Sequence, residues 1–421
     1  MRMHFIEAER SIEQEPTSLW YDTLEGKFFC PSLALATLAS LTPRDIDVKI
    51  IDEKVEKIDL NDIPDAVAIS FKTMSCKRAY ELADFYREKG SKVVLGGIHV
   101  SLLPDEAKAH ADSIVIGEGE EVWPQLVDDI RNDNLKSEYR ASGLTDLATL
   151  KVPRFDLIKN KSYICHSIQS SRGCSLDCDF CPTREMFKGV FRTKPIEQVV
   201  EEIRVALAID KKYIFFTDDI FGAGDKDFIV NLLAEIRKLK IEFFAVSDFL
   251  MLNKKIVIEL ALSGCRYLGL NLPGTCSKEE EKAIKMIQAL GIDVWGYFMF
   301  GFKIHEKNVF QKAYEFTKRT NMRHASFTVM APYPSTKAFS MLSEQRRILT
   351  RDWSLYDQAH VVCKPQNFSA DELDSGFKWI KAELGHLSRF RSDENRSLLK
   401  VLTGKTLSNV LAVVSKARNR N

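Results

Sequence analysis

Three cysteines, Cys174, Cys178 and Cys181, stand in the run Ser170-Ser-Arg-Gly-Cys-Ser-Leu-Asp-Cys-Asp-Phe-Cys-Pro182, a C-x3-C-x2-C triplet on one short segment. Four thiolates normally close a cubane iron–sulfur cluster, so three on a loop this short leave one iron open to a small chelating molecule. An open iron beside an exchangeable ligand is a catalytic arrangement. Zinc would need four closed ligands from paired knuckles, and no second knuckle follows at a comparable distance.

The elements around the triplet must deliver it to a ligand. Ile164 to Ser170 is apolar enough for a strand whose carboxyl end carries the cysteines, the end where barrel enzymes place their chemistry. Pro195 opens a helix with Ile196, Val199, Val200, Ile203 and Leu207 at helical spacing. Five more strands are expected at Tyr213 to Thr217, Phe243 to Ser247, Tyr267 to Asn271, Val294 to Phe300 and Ala325 to Met330, each separated by a helix-length segment. Six βα units predict an incomplete parallel barrel.

Ahead of it, Ile46 to Asp52, Ala66 to Phe71, Val93 to Gly97 and Ser113 to Ile116 read as buried strands alternating with helices. That pattern predicts an open, doubly wound parallel sheet with its ligand beyond the carboxyl ends of the strands. Phe71-Lys72-Thr73, Gly96-Gly97-Ile-His99 and Gly117-Glu118-Gly119-Glu120 cluster at those ends. Glycine there lets backbone approach a ligand closely. His99 alone reads equally well as a hydrogen-bonded structural residue.

The cysteine run, with Phe180 just before its last cysteine, resembles the radical S-adenosylmethionine (SAM) superfamily. The resemblance implies that Cys174, Cys178 and Cys181 ligate three irons of a 4Fe–4S cluster, with the methionyl amine and carboxylate of SAM on the fourth. It also implies SAM contacts from Phe180 and from the strand ends Thr217, Asp218, Asp219, Ser247 and Asn271. Carboxylates and amides suit an ammonium and ribose hydroxyls, although Asp219 would serve equally as a helix cap.

Residues 30 to 130 resemble the cobalamin-binding domain fused ahead of the cluster domain in cobalamin-dependent radical enzymes. The likeness rests on Pro31-Ser-Leu-Ala-Leu-Ala, on Gly96-Gly97-x-His99 followed by Pro104-Asp105-Glu106, and on the Gly-Glu-Gly-Glu run. It implies cobalamin contacts from Phe71, Lys72, Thr73, Gly96, Gly97, His99, Gly117, Glu118, Gly119 and Glu120. The Asp-x-His-x-x-Gly motif that supplies a lower axial histidine in mutases is absent, so no such ligation is expected. The plain alternative is a Rossmann-like scaffold without a corrin.

The expected fold is therefore α/β: an N-terminal doubly wound, Rossmann-like cobalamin-binding domain (1–135), a connector (136–163), a partial (β/α)6 radical SAM barrel (164–353) and a small helical C-terminal region with a basic tail (354–421). Two strand ends depart from the family pattern. A Gly-x-Glu-Ser run becomes Gly269-Leu-Asn271-Leu, and Gly-Leu-Pro-Gly-Glu-Thr becomes Gly301-Phe-Lys303-Ile-His305-Glu, which puts Lys303 and His305 either near an anionic substrate group or in solvent.

The implied activity is methyl transfer to an unactivated carbon through a 5′-deoxyadenosyl radical and methylcobalamin. Ring formation or rearrangement, with or without cobalamin, and a non-catalytic iron–sulfur sensor are the alternatives. Methylthiotransferases carry a second cluster on three amino-domain cysteines, whereas only Cys30 and Cys76 precede the connector here, with Cys165 the remaining recruit.

With 421 residues and a net charge of +1, the composition offers no global attraction for nucleic acid. No signal peptide or stretch of about 18 apolar residues is evident. Nine cysteines without a secretory signal predict reduced thiols and a cytoplasmic enzyme. The expected partners are a small-molecule or lipid-like substrate and an electron donor of the flavodoxin or ferredoxin kind. Arg389 to Asn421 carries eight basic residues against two acidic, which suits a membrane surface, an anionic substrate or a carrier, or else a helix packed on the barrel with a solvated basic end.

Overall fold

A computed structural model describes residues 1–9, 23–24, 27–272, 274 and 276–385. The first half of the chain runs β1 (Arg2–Glu7), a small hairpin of β2 (Thr23–Leu24) and β3 (Lys27–Phe28), α1 (Ala34–Leu41), β4 (Asp47–Asp52), β5 (Ala66–Ser70), α2 (Cys76–Glu88), β6 (Lys92–Gly96), α3 (Ile98–Leu102), α4 (Pro104–Lys108), β7 (Ser113–Ile116), α5 (Trp123–Arg131) and β8 (Glu138–Arg140). Six of these strands form a parallel sheet in the order β4-β1-β5-β6-β7-β8. The order reverses between β1 and β5, so a crevice opens beyond their carboxyl ends, where doubly wound sheets bind ligands.

Two of these strands were not expected. Central β1 buries Met3 and Phe5 against α1 and α5, and Ile6 against the opposite face with α2. A strand covered on both faces shows no polar alternation, and the interspersed His4 and Glu7 broke its apolar run. Edge strand β8 lies in the segment read as connector, so the sheet reaches Arg140.

The second half runs β9 (Cys165–Ile168), β10 (Ser171–Arg172), α6 (Pro182–Phe187), β11 (Arg192–Thr193), α7 (Ile196–Ile209), β12 (Tyr213–Phe216), α8 (Lys226–Leu239), β13 (Phe243–Asp248), α9 (Lys254–Leu262), β14 (Cys265–Leu272), α10 (Lys278–Ala289), β15 (Asp293–Phe300), α11 (Val309–Arg319), β16 (His324–Val329), α12 (Lys337–Glu344) and α13 (Ala370–Leu384). Strands β9, β12, β13, β14, β15 and β16 are parallel neighbours in chain order, as a partial barrel requires. Alternate residues divide the two faces. Leu268, Leu270 and Leu272 of β14 join the core beneath the helices, while Tyr267 joins the rings that fill the lumen. Helix α13 adds Leu373, Phe377, Ile380 and Leu384 to the helical core, so it belongs to the barrel rather than to a separate region.

The segment after β3 covers the free edge of β9. Ile164 and Cys165 donate their amides to the carbonyls of Phe28 and Phe29 at 2.9 and 3.0 Å, and the Ser167 hydroxyl donates to the Pro31 carbonyl at 2.5 Å. Phe29 thereby enters the lumen, edge-on to Phe215 at 5.0 Å and stacked on Phe244 at 5.6 Å. Among the described residues no helix is long and apolar enough to cross a membrane. The basic run Arg389 to Asn421 lies outside the described residues.

Candidate active site

The cysteines sit on a closed excursion. Strands β10 and β11 pair antiparallel, Ser171 with Thr193 and Arg172 with Arg192, and residues 173–191 leave and return through this neck. Gly173 has φ 87°, and a Cβ there would stand 2.0 Å from the Val190 carbonyl oxygen. Only glycine lets the two legs meet.

Two carboxylates beyond β12 fasten the excursion. Asp218 accepts the amides of Ser170 and Ser171 at 2.7 and 2.6 Å and the Ser170 hydroxyl at 2.6 Å. Burial pushes its carboxyl up to about 7, against those hydrogen bonds. Asp219 accepts the Gly173 amide at 2.8 Å and the Thr183 hydroxyl at 3.2 Å, holding residues on either side of the triplet. The Thr217 amide and hydroxyl both donate to the Ile168 carbonyl, and the Ser247 hydroxyl donates to that of Phe221 at 2.8 Å. These side chains were expected to contact SAM. Here they hold backbone, and Asp219 a hydroxyl as well, because the turn from strand to cluster loop leaves amides and carbonyls that need partners.

Asn271 is exposed on β14, in register with Asp248 on one side and Tyr297 on the other. Asp248 was missed, although it directly follows Ser247 at the end of β13. Its charge helps to raise the Cys174 and Cys178 thiols, after the larger effect of burial, which carries Cys178 to about 11. The Phe180 ring lies 5.1 Å from Phe302, a residue of the departing run after β15. His305 of that run is not in solvent: it is buried, and its Nδ1 accepts the Gly301 amide at 3.2 Å. Lys303 is exposed.

The triplet fits a cluster better than a single ion. A zinc ion about 2.3 Å from each sulfur would draw three thiolates to within about 4 Å of one another. Among the described residues one group brings three ligand atoms within 4.8 Å, and it is Cys76, His99 and Glu106, not the triplet. Cys30 and Cys165 are buried beside the lumen rings while Cys76 lies in the α2 core, so these three do not assemble a second cluster site.

A cavity of about 330 Å³ opens at the crevice between β1 and β5. Phe71, Lys72, Gly96, Gly97, Gly117, Glu118, Gly119 and Glu120 line it, with Leu35 and Leu38 of α1. Gly97, at φ 101°, passes so close to Phe71 that a Cβ would lie 2.7 Å from its carbonyl oxygen. Glu7, unanticipated because β1 was, lines the cavity too; it is buried with Oε2 lacking a partner, and burial raises its carboxyl. A glycine-walled mouth, an apolar recess and an unspent buried carboxyl fit the edge and amide side chains of a corrin.

Two expected cobalamin contacts lie elsewhere. Thr73 is buried outside the cavity. His99 is fully buried among the rings of Phe71, Tyr80 and Trp353, with Nε2 3.3 Å from Glu106 Oε1, and Glu106 Oε2 accepts the Trp353 indole at 3.0 Å. Its strand-end position made it resemble a ligand contact, but the short α3 turns it into the interior.

The opposite wall of the cavity comes from the barrel half: Gln169, Arg172, Met186 and Phe187. Residues 23–127 match the B12 binding domain, and residues 168–317 match the Radical SAM superfamily. The chain joins a B12 binding domain to a radical SAM domain. It is 29% identical over 376 residues to the bacteriochlorophyllide d C-12(1)-methyltransferase of Chlorobaculum tepidum, covering 84% of this chain and 82% of that one. To the C-8(2)-methyltransferase of the same organism it is 27% identical, covering 92% and 94%. The fold of TsrM from Kitasatospora setae, a radical SAM methyltransferase solved with cobalamin and a 4Fe–4S cluster, superposes with a TM-score of 0.64 at 14% identity, covering 82% of this chain and 75% of that one. The matched domains make cobalamin and SAM the cofactors of this chain.

Proposed function

We propose that this enzyme transfers a methyl group to an unactivated carbon of a small molecule, working in a reducing compartment with an external one-electron donor. The observation that carries the reading is the shared wall: the excursion bearing Cys174, Cys178 and Cys181 also supplies Met186 and Phe187 to the cobalamin cavity. Both cofactors then face one space at the barrel mouth.

When bound, the cluster supplies the electron that cleaves SAM, and cobalamin supplies the methyl group. The chain's own residues position these groups. The triplet thiolates would hold the cluster, Asp218 and Asp219 fix the backbone at its flanks, Asn271 offers an amide to SAM at the lumen mouth, and Asp248, whose Oδ1 accepts the Leu250 amide at 2.9 Å, offers its second oxygen. The glycine turns and Glu7 receive the corrin. Phe180 and Phe302, both half-buried, pack the cluster loop against the end of β15. No acid–base pair is required, because orientation is the protein's main contribution.

The test is anaerobic reconstitution with iron, sulfide and hydroxocobalamin, followed by desalting, metal analysis and incubation with SAM and a strong reductant. One cobalt and about four irons per chain, with S-adenosylhomocysteine formed, support the reading. Iron without cobalt overturns it.

A further inference from the structure

One carboxylate joins the neck of the cysteine excursion to the cobalamin cavity. Glu118 is 3% exposed. Its Oε1 accepts Arg172 Nη1 and Arg192 Nη2, each at 2.8 Å, and its Oε2 accepts Arg192 Nη1 at 2.8 Å and the Thr145 amide at 2.5 Å. Arg172 reaches on to Glu120 Oε1 at 2.8 Å. The two arginines are the facing pair of the β10–β11 neck, so they hold like charges side by side with little solvent. Without Glu118 these like charges would repel across the neck, against the hold of Asp218 and Asp219 on its backbone.

Both ends of this network touch the cavity. Glu118 and Glu120 belong to the turn that lines it, and the Arg192 guanidinium lies 5.7 Å over the ring of Phe187, which lines the opposite wall. A ligand seated between the turn and Phe187 therefore presses on the same neck that sets the path of residues 173–191. Bidentate arginine–carboxylate geometry tolerates little displacement, so the neck is held in one arrangement or released.

We propose that Glu118 is a positioning residue that couples the two cofactors, so that cluster assembly on the triplet tightens cobalamin binding in the cavity and cobalamin tightens the hold on the cluster. The proposal rests on the assignment of cobalamin to this cavity and the cluster to this triplet. The coupling is reciprocal, because it is one free energy shared by two binding equilibria.

The test is the dissociation constant of hydroxocobalamin, measured by anaerobic equilibrium dialysis with cobalt analysis, for the full chain with and without its cluster. In the wild type the cluster should tighten binding by about 5- to 150-fold. In Glu118→Gln that ratio should fall to about one, and in Glu118→Asp it should be partly restored. Arg172→Lys, which keeps the charge but loses the fork, should also lower the ratio and serves if the glutamine variant does not fold. A merely structural glutamate would weaken binding equally in both states, and an unchanged ratio in the variants overturns the coupling. So does a wild-type ratio of one, which leaves the proposed function standing. A wild type that binds no cobalamin in either state removes the functional reading and the coupling together.

Discussion

The Gly173 amide donates to the Asp219 carboxylate at 2.8 Å, one residue before the first cysteine of the triplet. The same carboxylate takes the Thr183 hydroxyl beyond the last cysteine, so one side chain spans the cluster loop. Asp219→Ala strands the Gly173 amide, an unsatisfied donor costing about 1–3 kcal/mol. Less than half the wild-type iron should survive desalting, with an unchanged far-ultraviolet circular dichroism spectrum. Asp219→Asn, which keeps an acceptor oxygen, should recover most of it. Wild-type iron content in the alanine variant would show that the loop needs no such brace.

Gly119 separates the cobalamin assignment from the cluster assignment. A Cβ there meets only side chains, the nearest being Leu38 at 3.5 Å, and the position lines the cavity. Gly119→Trp should fill the recess, cutting cobalt uptake at least tenfold while iron remains near the wild-type level. Full cobalt uptake would place the corrin outside this cavity.

His99 is expected to be structural. His99→Ala removes a ring packed against Phe71, Tyr80 and Trp353 and leaves Glu106 without its imidazole partner. On the order of 2–4 kcal/mol should be lost, read as a lower urea midpoint at unchanged slope, while cobalamin affinity stays within twofold. A large loss of affinity at unchanged stability would restore His99 as a contact.

The Glu118 pairs carry a pH signature. Burial pushes its carboxyl up, but the Arg192 and Arg172 pairs outweigh burial and leave it below its ordinary value of 4.5. A carboxyl depressed in the folded state contributes stability that is present above its unfolded value and lost as pH falls through its folded value. The melting-temperature gap between wild type and Glu118→Gln should therefore be wide at neutral pH, where breaking a buried pair costs about 3–5 kcal/mol. Below about pH 4.5 it should narrow. A gap that widens in acid would contradict the assignment.

Much of this architecture could be read from the residues themselves. Apolar runs such as Tyr213 to Thr217 and Val294 to Phe300 located the barrel strands to within a residue or two, because strands buried on both faces are apolar throughout. Cysteine spacing and glycine turns announced the site because few other residues can do those jobs. Asp218, Thr217 and Ser247 carry a backbone-holding role that spacing does not show, since a polar residue at a strand end satisfies backbone as readily as a ligand, and sequence does not record which. Glu7 and Asp248 escaped for the opposite reason: a lone carboxylate in an apolar context has no spacing partner to flag it.

Phe29, packed with Phe215 and Phe244, stops the lumen at the amino-terminal ends of the barrel strands. At that end the barrel is a blind well, and the rings set how deep a molecule entering from the carboxyl ends can reach.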